Sequence, residues 1–327
     1  MIMVALVLVA CAQGPASTPE TAATPEVATT PETVATPEVE ATPEITEAPF
    51  SVTVTDGLGN EVTLNAKPMR IVSMTLATDE ILLDLVGPER LAGITYLASD
   101  ASLSNIADRP ELAQIPNVVQ PNPGPEQIIA MEPDLVLVAA FTDAAVIEQL
   151  KQAGLPVFVM GFVSSIDSIK ESILTIGELV GEPEKAQEMV DAMDARLDEI
   201  TIAIGGVEGE PPTVLYLSSD GWVAGAGTSL DDIIIRAGGV NAAADLVDWN
   251  QVSEEQIIQM NPDVVILSPF VTDEEFIDNP VFADLAAIQN GRVYVANDAH
   301  MSAASQYIVL GVEDMAQLLY PEAVLEP

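Results

Sequence analysis

The residues able to do chemistry are few and mostly aromatic. Aromatic residues form 4% of the 327-residue chain, two of them Trp, beside one His and one Cys. Tyr96, Phe141 and Trp222 each follow a short apolar run that reads as a strand, Trp249 precedes the second copy of a repeat at 254–267, and His300 and Met301 follow residues 293–296. On loops at strand ends, such side chains would stack on a flat, mainly apolar ligand, with His300 or Met301 able to approach a metal from one axial side. One imidazole cannot assemble a two-His or three-His metal site, so no resident metal is expected. Catalysis finds no support. There is no Gly-x-Ser-x-Gly elbow, no Walker loop and no Cys beside a His, while residues 225–229, GAGTS, lack the Lys of a phosphate loop and read as the cap of a helix over 230–237.

Charge narrows the partners. Ten Lys and Arg stand against 51 Asp and Glu, a formal net charge of −41. Such a chain cannot replace the counterions of nucleic acid, and an anionic membrane surface repels it. With 49% apolar residues it nevertheless has ample core for a folded protein of about two domains. Arg109, in the loop 107–110, is the candidate cleft base, whereas Arg236 lies inside the helix over 230–237 and reads as structural. So few bases argue against strongly anionic chelates and favour a neutral or weakly charged ligand.

The elements that must position these residues alternate. Residues 51–64 read as a hairpin around Asp56-Gly57-Leu58-Gly59-Asn60, and 70–74 as a buried strand. Thr78-Asp79-Glu80 then reads as an N-cap with an acidic first turn, its helix ending at Gly87-Pro88 before a strand over 91–95. This alternation predicts an α/β fold with parallel sheets. PEQIIAMEPDLVLV at 125–138 returns as EEQIIQMNPDVVIL at 254–267, 129 residues later, which predicts two lobes of similar construction. Between the copies, a helix over 165–180 stops at Gly181, and a second runs from Pro183 to Gly205-Gly206. At 1.5 Å per residue the latter spans roughly 33 Å, a strut between lobes. The expected domains are thus 50–181, 182–206 and 207–327.

The first residues carry a different signal. Residues 1–10 are an apolar run too short to cross a bilayer, and Leu8-Val9-Ala10-Cys11 resembles a bacterial lipobox, implying lipid attachment at Cys11 after removal of a signal peptide. The alternative is an apolar N-terminus with an incidental Cys. From Thr18 the triplet Thr-Pro-Glu recurs every six residues through 42. Residues 12–49 therefore read as a disordered, self-repelling linker, stiffened by Pro and with Thr available for glycosylation.

Together RIVSMTLATDEILLDLVG at 70–87, the two repeat copies, GWVAGAGTSLDDIIIRAGGVN at 221–241, WNQVSEEQIIQMNPDVVIL at 249–267 and NGRVYVAND at 290–298 resemble the helical-backbone (class III) substrate-binding proteins of ABC importers for vitamin B12, haem and iron siderophores. The resemblance covers residues 50–327. It implies a lipid-anchored, extracytoplasmic, monomeric protein with a corrinoid, haem or ferric siderophore held between the lobes and delivered to a permease dimer with its ATPase. It also implies docking through one acidic residue per lobe, and the matching positions are Glu126 and Glu255. A first-turn carboxylate is independently favoured by the helix dipole, and the alternative is that both are ordinary first-turn glutamates. A surface sensor without a permease is the remaining alternative. A zinc or manganese carrier of the same fold group is opposed by the single His.

Overall fold

The computed structural model describes residues 50–323. The expectations for residues 1–11, for Cys11 and for the linker over 12–49 lie outside the described residues.

The hairpin forms as expected, β1 (Val52–Thr55) against β2 (Glu61–Leu64), antiparallel. Its turn is held by the Asp56 carboxylate, which accepts the N–H groups of Leu58 and Asn60 at 2.9 and 2.8 Å. Then follow β3 (Ile71–Ser73), α1 (Leu76–Val86), β4 (Leu91–Thr95), β5 (Val118–Val119), α2 (Pro125–Ile129), β6 (Leu135–Ala139), α3 (Ala144–Gln152), β7 (Val157–Met160) and α4 (Ile166–Val180). The strands pair in parallel in the order β5-β4-β3-β6-β7. After α5 (Pro183–Ile204) come β8 (Thr213–Leu217), β9 (Trp222–Ala224), α6 (Ser229–Arg236), β10 (Val240–Asn241), β11 (Trp249–Gln251), α7 (Glu254–Met260), β12 (Val264–Leu267), α8 (Asp273–Ile277), α9 (Ala286–Gln289), β13 (Val293–Val295), α10 (Asp298–Met301) and α11 (Ile308–Leu319). Here β8, β12 and β13 are parallel, and β9 is an antiparallel strand between β8 and β11. The fold is thus α/β, with two parallel-rich lobes joined by one long helix.

The repeat has a mechanical meaning. In each copy the Pro-Asp carboxylate reaches the start of the lobe's first parallel strand. Asp134 accepts the N–H groups of Met69 and Arg70 at 2.7 and 2.9 Å, and Asp263 accepts Thr213 N–H and Oγ1 at 2.9 and 2.7 Å. Each aspartate thereby sets the register in which the strand after it joins the strand before it.

Helix α5 packs on α4 of the first lobe and on α11 of the second. The approach to α4 is close enough that a Cβ on Gly177 would stand 2.2 Å from the Ala186 methyl. A second connection was not foreseen. Helix α1 begins at Leu76 with Thr75 as its N-cap, three residues before the expected Thr78, so Thr78, Asp79 and Glu80 are buried rather than an exposed first turn. Glu80 accepts Ser305 Oγ at 2.5 Å from the other lobe, and Asn105 N and Nδ2 at 2.8 and 3.1 Å. Gln306 Nε2 donates to Asp84 Oδ2 at 2.7 Å, and Asn105 Nδ2 to the Ala299 carbonyl at 2.8 Å. Burial pushes the Glu80 carboxyl up, against the bonds from Ser305 and Asn105 that lower it. The lobes are therefore fastened by a buried polar seam as well as by the strut.

Candidate functional site

In both lobes the parallel strands end on loops at one edge of the sheet, and these loops carry the exposed aromatic side chains. Tyr96 leaves β4 and is exposed. Phe141, after β6, and Phe162, after β7, are 77% and 79% exposed, with ring centroids 6.5 Å apart. Beneath them a cavity of about 160 Å³ is lined by Thr75, Ala139, Met160, Gly161 and Val163 of the first lobe and Ala304 of the second. Its walls are almost wholly apolar, and a residue from each lobe contributes to it.

The tryptophans sit differently from the loop positions expected of them. Trp222 opens β9 and Trp249 opens β11, and in the antiparallel register Trp249 faces Ala224 while Gln251 faces Trp222. Opposed residues and alternate residues of a strand share a face, so both indoles stand on the same side of this sheet edge. Tyr216 of β8 packs edge-on against Trp249, with centroids 6.0 Å apart and planes at 81°. Its phenol is itself pushed up by burial, with Asp298 adding to the shift. Phe162 and the 75% exposed Phe270, after β12, escaped the sequence reading. Their signal was the one that singled out Phe141, an aromatic within a few residues of a strand end.

The other three expected contacts are engaged by the protein itself. Met301 is 1% exposed within the core shared by both lobes, so its thioether cannot reach a ligand. The ring of His300 is turned to α11, where Nδ1 lies 2.6 Å from Asp314 Oδ2. Arg109 is held by Asp84 at 2.9 Å and by Glu111 at 3.3 Å. Its bond to Glu111, then that to Asp84, keeps its pKa above the ordinary guanidinium range. Of the ten Lys and Arg, Arg109 alone lies on a loop leaving the carboxyl end of a parallel strand, and its charge is already matched. Those loops carry Asp100, Asp143 and Asp220 instead.

The loop bearing Tyr96 is anchored from below. Asp79, buried, accepts Thr95 Oγ1 at 2.5 Å and Thr95 N at 3.1 Å, at the end of β4. Burial pushes this carboxyl up to about 7, against the hydrogen bonds that lower it. Glu126 and Glu255 are exposed, each second in its short helix, and α2 and α7 both start at the sheet edge that carries the aromatic loops. A bond from Ser253 holds Glu255 below the usual carboxylate range. Among the described residues no three His, Cys, Asp or Glu side chains gather as a metal site. No described helix is long and apolar enough to cross a membrane.

The family described as "Periplasmic binding protein" matches residues 71–299. A protein of Bacillus subtilis (strain 168), named an uncharacterized ABC transporter substrate-binding lipoprotein, is 27% identical over 286 residues, covering 85% of this chain and 88% of the relative. The Cobalamin-binding protein of Halobacterium salinarum is 28% identical over 284 residues, covering 83% and 74%. Among solved structures, the periplasmic heme-binding protein RhuT of Roseiflexus sp. RS-1 in apo form superposes with a TM-score of 0.65 at 24% identity, covering 78% of this chain and 99% of that one. Since the family match spans well over half the sequence and the two-lobed fold is shared, this chain belongs to the periplasmic binding protein family, extracytoplasmic solute-binding partners of ABC transporter permeases.

Proposed function

We propose that the chain binds a neutral or weakly charged corrinoid-class chelate between its lobes and presents it to an ABC permease. The observation that carries this reading is the chemistry of the strand-end loops. Trp222, Trp249, Tyr96, Phe141 and Phe162 offer broad apolar faces, while the single base there, Arg109, is spent on Asp84 and Glu111. A ligand carrying carboxylates or catecholates would enter past Asp100 and Asp143 with no free cation to meet it. A corrinoid presents a large, weakly charged ring edge to such walls, and the relative from Halobacterium salinarum bears the name of a cobalamin-binding protein. In this reading Glu126 and Glu255 meet cations of the two permease subunits, and Cys11 carries a lipid with residues 12–49 as the tether. The ligand would lie between residues 50–181 and 207–327, held apart by 182–206.

The chain's two tryptophans are both proposed ligand contacts, so intrinsic fluorescence reports binding directly. Titration with cobalamin, cobinamide, haem and ferric siderophores is expected to give saturable quenching with the corrinoids alone. Saturation by haem or by an anionic siderophore, with no response to cobalamin, would overturn the proposal. Replacing both Glu126 and Glu255 by Ala is expected to abolish permease binding without changing that titration.

A further inference from the structure

A second pocket lies on the opposite face of the second lobe's sheet from the tryptophans. Its volume is about 350 Å³, near the lower end of small-molecule sites (roughly 300–1,000 Å³). Leu217, Ile257, Val271 and Phe282 form its apolar walls, and Asp220 and Glu254 stand at its rim. Leu217 follows Tyr216 on β8, so the two point to opposite faces, which separates this pocket from the aromatic cleft. The wall is firmly backed: Phe282 is buried and stacked on Phe276 at 4.7 Å. Immediately beside two of the lining residues, Phe270 is 75% exposed and Val281 is also exposed, an apolar surface with nothing covering it.

The charge around the mouth has one sign. Asp220 and Glu254 line it, and the next acidic residues along the chain from its lining are Glu255, beside Glu254, and Asp273, Glu274 and Glu275, shortly after Val271. The lobe's Arg residues are engaged elsewhere, Arg236 with Asp167 and Asp232, and Arg292 with the carbonyls of Leu318 and Leu319. The copies of the repeat also differ here, because Glu254 stands where the first lobe has Pro125. An apolar hole with carboxylates at its rim, and no Lys or Arg among the described residues paired with them, fits a protruding Leu-, Met- or Phe-sized side chain flanked by Arg or Lys.

We propose that this pocket, resting on the reading of Glu255 as a permease contact, receives such an apolar side chain from the permease subunit that docks on the second lobe. Docking is then unequal between the lobes, with the second supplying an apolar anchor beside its charge. The test uses the full chain and its permease–ATPase complex in nanodiscs, with affinity measured by surface biosensing and folding checked by thermal unfolding. Val271→Trp fills the pocket, and Phe270→Ser removes the exposed apolar rim without touching the core. Each is expected to weaken permease binding about tenfold or more. Wild-type affinity in Phe270→Ser together with a folded Val271→Trp overturns the proposal; should Val271→Trp unfold, wild-type affinity in Phe270→Ser and in the milder Val271→Leu does so. Glu126→Ala/Glu255→Ala, run in parallel, tells the two readings apart. Loss there with wild-type binding by the pocket variants leaves the glutamates and removes the pocket. The converse keeps the pocket and removes the glutamates.

Discussion

Asp79→Asn should make the protein more stable in alkali relative to wild type, and the size of the effect follows from its surroundings. The carboxyl is fully buried beneath the end of β4, and burial lifts it from an ordinary 3.8 to about 7. A carboxyl raised on folding binds its proton more tightly in the native state. The stability it contributes is therefore complete below about 3.8 and is lost as pH rises through about 7. At about 1.36 kcal/mol per pH unit, the whole span amounts to roughly 4 kcal/mol, of which about 2 kcal/mol falls between pH 5.5 and 8.5. Asn keeps an oxygen for the Thr95 N–H and turns its amide towards Thr95 Oγ1, so the bonds at 3.1 and 2.5 Å have replacements. Urea unfolding followed by far-UV circular dichroism at several pH values gives the two profiles. Other carboxylates titrate in both proteins, so the difference between profiles isolates Asp79. Wild type is expected to lose about 2 kcal/mol more than the variant over that range. Parallel profiles, or a variant that loses the more stability with rising pH, would refute the reasoning.

Two further outcomes concern the cleft. Trp249→Ala removes an indole that rests on Tyr216 and should weaken corrinoid binding about tenfold or more, measured by calorimetry, with little change in fold because Trp249 is on an edge strand; unchanged affinity would take Trp249 out of the site. Arg109→Ala should leave corrinoid affinity as in wild type and lower unfolding stability by no more than about 1 kcal/mol, since its partners are half-exposed carboxylates, and a large affinity loss would return Arg109 to the cleft.

The parts of the fold that depend on neighbours in sequence were legible. Apolar runs of four or five residues separated by capped helices locate β4, β6 and β8, and Gly181, at φ 72°, closes α4 where a left-handed residue is required. The repeat was legible as duplication, and the structure adds what its aspartate does. What failed were positions decided by tertiary burial. Thr78-Asp79-Glu80 has the composition of an exposed helix start, but the cap is Thr75, and one turn's displacement turns two carboxylates inward as ties to β4 and to the other lobe. Met301 and His300 follow a strand end just as Phe141 does, yet the short helix α10 folds them back onto the core and onto Asp314. Trp222 and Trp249 were expected on loops because the antiparallel strands β9 and β11, three residues each, are too short to show alternation.

The seam through Glu80 bears on how such a cleft gains affinity. Swinging the lobes together or apart would break the bonds from Ser305 to Glu80, from Gln306 to Asp84 and from Asn105 to the Ala299 carbonyl, at about 1–3 kcal/mol for each buried group left unmet. Helix α5, packed along both α4 and α11, resists the same motion. A ligand could drive such closure only through contacts absent from the open form. The aromatic faces are already exposed on rigid supports: Trp249 on Tyr216, and the Tyr96 loop on Asp79 through Thr95. In the proposed reading, binding to these preformed walls avoids the ordering cost of closure, so recognition would fall to the shape and polarity of the walls rather than to movement. A mouth whose loops carry Asp100 and Asp143 would, on the same reading, select by exclusion: without a hinge to bring a base inward, an anion would find no partner there, whereas a neutral ring brings no charge that needs one.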